Sequence, residues 1–358
     1  MKFDFCIGNP PYQQSRETTK DMPVYNDFMN AAFSIAEKVE LITPARFLFN
    51  AGATPKKWNQ EMLTDTHFKV LEYQPDSSCV FPNTDIKGGI AIHYRDNSKE
   101  FGEIDTFTSF NELNSLMKKM KSVNGFISLS TIMYPYSTYT LSDKLWEDFP
   151  EIKKEIEHIS KNRDSLSRAE KSGKLSNLRI ITTNIFDLLP DLFSDTPRDD
   201  GEKYLRLLGR QNNQRCYKYI KEKYINVGEN YEKFKVILPK SNGSGAIGEI
   251  ISTPLVGTPL VGYTQSFVSI GAFDSEKEAN ACLKYVKSKF ARTMLGILKI
   301  TQDNPPEKWK YVPLQDFTDK SDINWNTSVA NIDKQLYKKY GLSQEEIDFI
   351  ETHVKEMA

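Results

Sequence analysis

Apolar and polar positions alternate with two different periods over the first hundred residues. The apolar runs at 3–7, 39–42, 68–73 and 89–94 are short and predict β-strands. Residues 25–38, between the first two runs, carry apolar side chains three and four positions apart, which predicts an amphipathic helix. Strands that alternate with helices are typical of a parallel sheet with crossover helices, so we expect an α/β fold.

The pattern becomes more mixed after residue 100. Residues 110–120 predict a helix, and the polar, charged stretch at 163–174 predicts a surface hinge. Alternating side chains over 216–221 predict a strand with one solvent-facing side. Ser343 and Glu346 have the spacing of a capping box, which predicts a last helix near the carboxyl end.

Composition narrows the classes of protein to which the chain can belong. Its 358 residues are enough for about two domains. With 47 basic and 48 acidic residues, the net charge is near −1, which excludes a uniformly basic coat protein but allows a local basic surface. No apolar run approaches roughly 18 residues, so we expect no membrane partner.

The side chains that usually bind metals or form disulfides are scattered along the chain. The four cysteines lack CxxC spacing, and the four histidines share no metal-ligand spacing. The sequence therefore predicts neither a metal site nor a disulfide framework. Free cysteines fit a reducing compartment, and we expect a cytoplasmic protein.

The most informative segment is Asn9-Pro10-Pro11-Tyr12, which follows a first strand predicted to be buried. Two prolines fix the backbone and remove two N–H donors, which leaves the Pro10 carbonyl unpaired at the carboxyl end of a strand. Asn9 supplies a side-chain carbonyl beside it. Two such acceptors can hold both hydrogens of an aromatic amino group and localise the nitrogen lone pair as a nucleophile. Tyr12 offers a flat ring for the base that carries the amine.

This segment resembles the catalytic motif of adenine-specific DNA methyltransferases of restriction-modification systems, including enzymes that fuse restriction with modification. The motif of that family is Asn-Pro-Pro-Tyr after an apolar strand, and it makes Asn9, Pro10, Pro11 and Tyr12 the catalytic residues. The resemblance implies transfer of a methyl group from S-adenosylmethionine to the exocyclic N6 of adenine. It also implies that the adenine is flipped out of the duplex and stacks on Tyr12.

The chain contains a second copy of the tripeptide, Asn304-Pro305-Pro306. This copy follows polar residues instead of an apolar strand, and it precedes Glu307, whose carboxylate cannot stack on a base. We therefore interpret the second copy as a turn.

A further segment, 75–90, resembles the part of the same family that lines the other side of the base pocket. By that resemblance, Phe81 makes the second aromatic contact with the flipped adenine; packing in the core is the alternative role. The same segment holds Asp76, Asp85 and Lys87, which fit the loose pattern of magnesium-dependent nucleases. Magnesium is expected only if a nuclease is fused to the chain.

A complete methyltransferase of this family also needs a half that binds S-adenosylmethionine, with a strand, a glycine-rich turn and an acidic residue for the ribose. Residues 243–248 are glycine-rich, but no strand-to-helix pattern surrounds them, so we interpret them as a loop. We expect the cofactor site to lie mostly outside this chain. Either an amino-terminal half precedes it in a longer protein, or a partner subunit supplies that half. The first strand would then lack its usual neighbour and expose an apolar edge.

Basic charge is concentrated away from this motif, over 203–225. This segment has seven basic residues against one acidic residue, and four tyrosines interleave with them. A solvated charged strand is one interpretation, but beside the methyltransferase motif these groups favour phosphate contact and stacking on double-stranded DNA. The predicted DNA contacts are Lys203, Arg206, Arg210, Arg215, Lys218 and Lys221.

These observations predict an α/β chain with a partial Rossmann-like methyltransferase sheet, an α+β DNA target-recognition domain and a helical tail. The expected boundaries are 1–105 for the catalytic half, 106–200 for a connecting helical region, 201–310 for target recognition and 311–358 for the tail. The predicted function is site-specific DNA adenine methylation, as part of a longer bifunctional protein. A DNA-specificity module without its own catalysis and a magnesium-dependent restriction endonuclease are the alternatives.

Overall fold

Two compact units, Met1–Asn114 and Ser115–Ala358, make up the chain. The computed structural model describes residues 3–14, 22–82, 84, 86, 88–153, 156, 178–243, 245–299 and 302–357. The stretch 163–174, expected as a surface hinge, lies outside the described residues. No helix in the described part is long and apolar enough to cross a membrane. Both units mix helices with strands, which confirms a mixed α/β chain.

The first unit is organised around one sheet. Its strands are β1 (Phe3–Gly8), β2 (Gln13–Gln14), β3 (Met22–Pro23), β4 (Ala36–Pro44), β5 (Phe68–Gln74) and β6 (Ile90–Asp96). Its helices are α1 (Tyr25–Ile35) and α2 (Lys56–Thr64), with 3₁₀ turns at Arg46–Phe49 and Ser77–Cys79, and α3 (Asn111–Ser122) spans the unit boundary. Four strands form a sheet in the order β1-β4-β6-β5, and β2 pairs with β3.

This sheet is mixed, which corrects the expectation of a parallel sheet. β1 and β4 are parallel, because α1 carries the chain back between them. β6 lies between β4 and β5 and is antiparallel to both. The described part of the β5–β6 connection holds the 3₁₀ turn Ser77–Cys79 and no crossover helix, so the chain returns in the opposite direction. Helix α1 is also shorter than expected, since β4 begins at Ala36.

The core of the first unit lies on one face of the sheet. Met29 of α1, Leu41 of β4, and the rings of Phe47 and Phe68 are buried together there. Side chains alternate across a strand, so the neighbours of the buried positions point to the opposite face.

The first strand lies at the edge of that sheet and is exposed, so the expectation of a buried strand is wrong. Phe3, Phe5 and Ile7 of β1 are 52%, 62% and 76% exposed. They share one face because side chains two residues apart point the same way. An edge strand with three exposed apolar side chains is a ready template for pairing with another strand.

The second unit contains smaller sheets. Its strands are β7 (Met133–Tyr134), β8 (Thr140–Leu141), β9 (Tyr204–Gln211), β10 (Gln214–Lys221), β11 (Ile225–Asn226), β12 (Phe234–Pro239), β13 (Leu255–Gly257), β14 (Val261–Tyr263) and β15 (Phe267–Phe273). The sheets have the orders β10-β9-β14, β11-β8 and β13-β12-β15-β7. β9 and β10 form an antiparallel hairpin, and β14 is parallel to β9.

The second unit also contains helices. Those whose bounds are described are Asp143–Asp148, Ile185–Leu188, Glu276–Lys287, Lys289–Gly296, Val329–Lys339 and Gln344–His353. The last helix begins with the capping box predicted from Ser343 and Glu346. Leu205, Leu207 and Ile220 of the hairpin are fully buried in a core of this unit, which fixes the hairpin strands at their base.

Candidate functional site

The Asn-Pro-Pro-Tyr segment lies at the carboxyl end of β1. The strand ends at Gly8, and Asn9 and Pro11 are exposed, whereas Pro10 and Tyr12 are partly buried. Within the described part of the chain, no backbone N–H donates to the Pro10 carbonyl. The segment therefore presents two oxygen acceptors at a strand end, which is where open α/β sheets bind ligands.

Tyr12 is anchored by the backbone that follows it. Its carbonyl accepts a hydrogen bond from the Val24 N–H at 3.1 Å, and its ring packs against the core of the first unit. The hydroxyl is buried, and no described residue gives it a hydrogen bond of normal distance and angle. Burial raises the pKa of Tyr12, and the neighbouring Asn9 side chain lowers it in part. Packing against the core therefore holds the ring in place.

Phe81 lies beside this ring. The centroids of Tyr12 and Phe81 are 6.5 Å apart, and their planes meet at 67°. The Phe81 N–H donates to the Ser77 carbonyl at 2.8 Å, which holds the backbone of Phe81 at the end of the 3₁₀ turn. The structure thus brings together the two aromatic residues that the sequence proposed for base contact.

The loop that carries Phe81 is held by a residue that sequence reasoning missed. Ser77 is 2% exposed; its hydroxyl donates to the Thr84 carbonyl at 2.7 Å and accepts from the Ile86 N–H at 2.8 Å. Gly89 closes the loop with a φ of 73°, and a Cβ there would lie 2.4 Å from the Gln74 carbonyl oxygen. The Gly88-Gly89 doublet was the available sequence signal for this close approach.

The nuclease alternative receives no support from the described residues. The Asp76 carboxylate accepts hydrogen bonds from the Ser78 N–H at 3.0 Å and the Ser78 hydroxyl at 2.7 Å. The Ser78 hydroxyl and N–H bonds hold the pKa of Asp76 below its ordinary value. Asp85 and Lys87 lie outside the described residues. Over the part of the chain that is described, no three metal-binding side chains come together.

The second Asn-Pro-Pro copy differs from the first in its surroundings. Asn304 is 1% exposed, its N–H donates to the Lys240 carbonyl at 2.8 Å, and its side-chain oxygen accepts from Trp309 Nε1 at 2.9 Å. A 3₁₀ turn follows at Pro306–Trp309. The Asn304 amide is thus used within the fold, whereas Asn9 is exposed at a strand end.

The β9–β10 hairpin places most of the predicted DNA contacts on one face. Opposite positions in the antiparallel register share a face, and Arg210 is opposite Arg215 while Arg206 is opposite Tyr219. Lys221 is on this face as well, since it lies two and six positions from Tyr219 and Arg215. Lys218 lies on the other face, and Lys203 is exposed just before β9.

The charges on this hairpin differ in how far they are neutralised. Lys218 pairs with Asp195 at 2.7 Å, and Lys221 pairs with Asp200 at 2.8 Å. By contrast, no described carboxylate pairs with any of the three arginines of the hairpin. The Arg206 guanidinium lies 3.8 Å from the centre of the Tyr217 ring. The arginines therefore keep more net positive charge for a ligand than the two lysines do.

The glycine-rich segment in the second unit does not fit a cofactor turn. The Gly245 N–H donates to the Glu249 carboxylate at 3.1 Å, and the Asn242 side chain donates to the Ile250 carbonyl at 2.8 Å. The next helix begins only at Glu276, so no strand-to-helix turn is formed here. At the end of β1, by contrast, a Cβ on Gly8 would meet only Leu41 at 3.7 Å. This edge leaves room for one side of a bound ligand.

A cleft of about 490 Å³ also lies in the second unit, lined by residues of the helices Glu276–Lys287 and Val329–Lys339. Its charged groups serve the fold, because Lys277 pairs with Asp319, and Lys284 donates to the Trp325 carbonyl at 2.8 Å. The cleft contains none of the residues singled out by the sequence, and we assign it no role.

The first segment is similar to known restriction-modification and adenine-specific methylases. Residues 1–81 match the family described as Eco57I restriction-modification methylase. An uncharacterized adenine-specific methylase of Mycoplasma pneumoniae is 31% identical over 103 residues, which cover 27% of this chain and 24% of that protein. The chain thus matches about a quarter of this relative's length.

Two solved structures are similar at low identity. The type IIG restriction endonuclease BpuSI has a TM-score of 0.34 and 11% identity, with 98% of this chain and 53% of that chain covered. The type IIL restriction-modification enzyme MmeI, in complex with DNA, has a TM-score of 0.32 and 10% identity, with 98% and 56% covered. This chain spans little more than half the length of either structure.

Proposed function

We propose that this chain forms the base-binding and DNA-binding part of a site-specific DNA adenine methyltransferase. It would act in a restriction-modification system, as part of a longer bifunctional protein. The observation that carries this proposal is the Asn9–Tyr12 segment at the exposed end of β1, with Phe81 against Tyr12. The match of residues 1–81 to restriction-modification methylases supports it.

The first step that the residues perform is to hold the amine. The exposed Asn9 side-chain carbonyl and the Pro10 carbonyl each accept one N–H of the adenine amino group. These two hydrogen bonds draw the nitrogen toward tetrahedral geometry and localise its lone pair. The methyl group would come from bound S-adenosylmethionine: the N–C bond would form as the sulfonium S–C bond breaks, and the neutral thioether would leave. The nitrogen then loses one proton to water, which restores the neutral amine.

The second step is to hold the base outside the duplex. An adenine inside the helix cannot reach a strand end, so the base must be flipped out. Tyr12 offers the face of its ring, and the ring itself is fixed by packing against the core. The plane of the Phe81 ring meets that of Tyr12 at 67°, so Phe81 contacts a base stacked on Tyr12 from the side. Stacking on Tyr12 is independent of its buried hydroxyl.

The cofactor site is proposed to lie mostly on a second polypeptide segment, either an amino-terminal half or a partner subunit. Two observations on the described residues support this division. The glycine-rich segment is hydrogen-bonded to the Glu249 carboxylate and does not lead into a helix. β1 is an exposed edge strand with apolar side chains. That second segment would pair with β1 and cover Phe5 and Ile7. Magnesium is assigned to no residue of this chain and would accompany a fused nuclease.

Double-stranded DNA is proposed to contact the β9–β10 hairpin. Arg206, Arg210 and Arg215 share one face and have no carboxylate partner among the described residues. Lys203, Lys218 and Lys221 remain predicted contacts. Lys218 and Lys221 are each paired with a carboxylate, so each must either break this ion pair to bind a phosphate or approach the DNA as a pair without net charge. Phosphate contacts should therefore depend mainly on the arginines.

Methylation by the assembled enzyme tests this proposal. The chain is produced together with the polypeptide that supplies the cofactor half, and N6-methyladenine in DNA is quantified. We expect methylation by the wild type and none by Asn9→Ala, with nearly unchanged affinity for DNA. Methylation that persists in Asn9→Ala would refute the assigned role of Asn9.

Two other outcomes would favour the alternatives. DNA binding without methylation by the wild-type assembly would favour a DNA-specificity module. Magnesium-dependent cleavage that survives Asn9→Ala but is lost in Asp85→Ala would favour a nuclease.

A further inference from the structure

The tip of the β9–β10 hairpin has an unusual composition. β9 ends at Gln211, β10 begins at Gln214, and the two residues between them, Asn212 and Asn213, have φ values of 49° and 60°. Two successive residues at positive φ are the mark of a type I′ turn, which asparagine tolerates. Four neighbouring amide side chains therefore occupy the tip. Asn212, Asn213 and Gln214 are exposed, and Gln211 is partly exposed.

Two arginines flank these amides in the sequence: Arg210 precedes Gln211, and Arg215 follows Gln214. Arg210 and Arg215 are opposite each other in the register, and like charges in opposite positions of a sheet repel. The Arg210 guanidinium donates to the Asn213 side-chain oxygen at 2.9 Å. The Arg215 guanidinium donates to the carbonyls of Ser252 and Thr253 at 3.0 and 2.6 Å. These bonds orient both groups, and no described carboxylate neutralises their positive charge.

The two glutamines of the tip and the two arginines lie on opposite faces of the hairpin. Gln211 and Gln214 are opposite each other in the register and so share a face, which is the face opposite to the arginine pair. The chemistry of the two pairs also differs. A guanidinium pair suits phosphate, whereas an uncharged amide gains little from phosphate but can donate and accept at the same time.

We infer that the hairpin tip reads base edges in the major groove, with Gln211, Asn212 and Gln214 as specificity residues for adenine and with Arg210 and Arg215 on the flanking phosphates. A two-stranded ribbon fits the major groove, and a glutamine or asparagine amide can pair with adenine through N6 and N7 together. This inference rests on the proposed function, because it requires that the second unit binds DNA.

The experiment compares sequence preference with general affinity. The 358-residue chain is used to select duplexes from a random library, and the enriched sites are sequenced. Binding to a fixed duplex is then measured over a range of salt concentrations. The double variant Gln211→Ala/Gln214→Ala keeps both turn residues, and Asn326→Ala serves as a control at an exposed amide elsewhere in the unit.

The double variant should lose about tenfold or more in preference for adenine at one or two positions of the enriched site. Its salt dependence should stay that of the wild type, because no phosphate contact is removed. The control should change neither quantity. Gln211→Glu/Gln214→Glu offers a second test. A glutamate side chain accepts hydrogen bonds but cannot donate one, so the preference should shift from adenine toward cytosine.

The outcomes separate the two proposals. An unchanged enriched site in both double variants would overturn the role of the tip and leave DNA binding by the second unit intact. An equal loss of affinity for every sequence, with a changed salt slope, would make the glutamines phosphate contacts and would also overturn it. A wild-type chain that binds no duplex would overturn the proposed DNA contact itself. Thermal melting of each variant shows whether the hairpin is still folded.

Discussion

The rings of Tyr12 and Phe81 meet edge to face, with centroids 6.5 Å apart and planes at 67°. One ring follows β1, and the other lies in the loop between β5 and β6, so the fold and not sequence proximity creates the contact. A base that stacks on Tyr12 gains about 1–3 kcal/mol. Displacing an aromatic edge costs about 0.5–1.5 kcal/mol. At the middle of these ranges, about 2 against about 1 kcal/mol, the exchange favours the bound base.

Replacing Tyr12 with alanine should weaken retention of the flipped base by about 1–3 kcal/mol, because the stacking face is lost. Tyr12→Phe keeps that face and removes a buried hydroxyl without a normal hydrogen bond, so its effect should be mild. A fluorescent adenine analogue at the target position of the duplex reports the flipped base in the assembled enzyme. Equal signals from the wild type and Tyr12→Ala would rule out stacking on this ring.

The two Asn-Pro-Pro copies should respond in opposite ways to the same substitution. Asn304→Ala should lower the free energy of unfolding by about 1–3 kcal/mol, since it leaves the buried Trp309 Nε1–H without its acceptor. Asn9→Ala should leave stability nearly unchanged and abolish methylation. Urea unfolding and methylation assays on both variants make the comparison. A large loss of stability in Asn9→Ala would mean that Asn9 serves the fold.

The three arginines of the hairpin should account for most of the salt dependence of DNA binding. Each phosphate contact removed should reduce the slope of log K against log salt by about one unit. We expect this from Arg206→Gln, Arg210→Gln and Arg215→Gln, and a smaller change from Lys218→Gln, because Lys218 is paired with Asp195. Binding titrations at several salt concentrations measure the slopes. An unchanged slope in the triple arginine variant would place DNA elsewhere.

This chain alone should not bind S-adenosylmethionine tightly. A complete pocket that reaches micromolar affinity gives about −8 kcal/mol, and each 1.4 kcal/mol lost costs about tenfold. With contacts on one side only, near Gly8 and Asn9, affinity should fall beyond millimolar. Calorimetry on the chain alone and with the polypeptide for the cofactor half tests this. Micromolar binding by the chain alone would reveal a cofactor site within these 358 residues.

The buried His93 should make the first unit less stable in mild acid. Burial lowers the pKa of His93 to about 3, against about 6.5 in an unfolded chain. Between these values the unfolded chain binds a proton that the folded chain does not. The free energy of unfolding therefore falls as the pH drops from about 6.5 toward 3, by up to about 1.4 kcal/mol per pH unit.

His93→Gln removes this titration and retains a partner for the Thr43 hydroxyl, which lies 3.1 Å from His93 Nε2. Hydrogen exchange of peptides from α1 and β4 at pH 7 and pH 5, corrected for intrinsic rates, measures the difference. The wild type should lose more protection than the variant. An equal loss in both proteins would contradict the assigned pKa.

Some features of this protein depend on residues close together in the sequence, and these were predictable. The apolar run before Asn9 predicts a strand that ends at two prolines, and the structure ends β1 at Gly8. Ser343 and Glu346 predict the start of the last helix, because a capping box is complete within four residues. The direction of β6 was not predictable in this way, since it depends on which strands flank it.

The sequence by itself determined the local chemistry: two acceptors and a flat ring after a strand, and a basic segment with tyrosines. Only the tertiary structure decided that Phe81 lies against Tyr12, that Lys218 faces away from Arg210, and that Asn304 is buried while Asn9 is exposed. The physical reason is the range of the interactions. Turns and caps are completed by neighbours in the chain, whereas burial, strand register and ring contacts join residues that are distant in sequence and meet only in the packed fold.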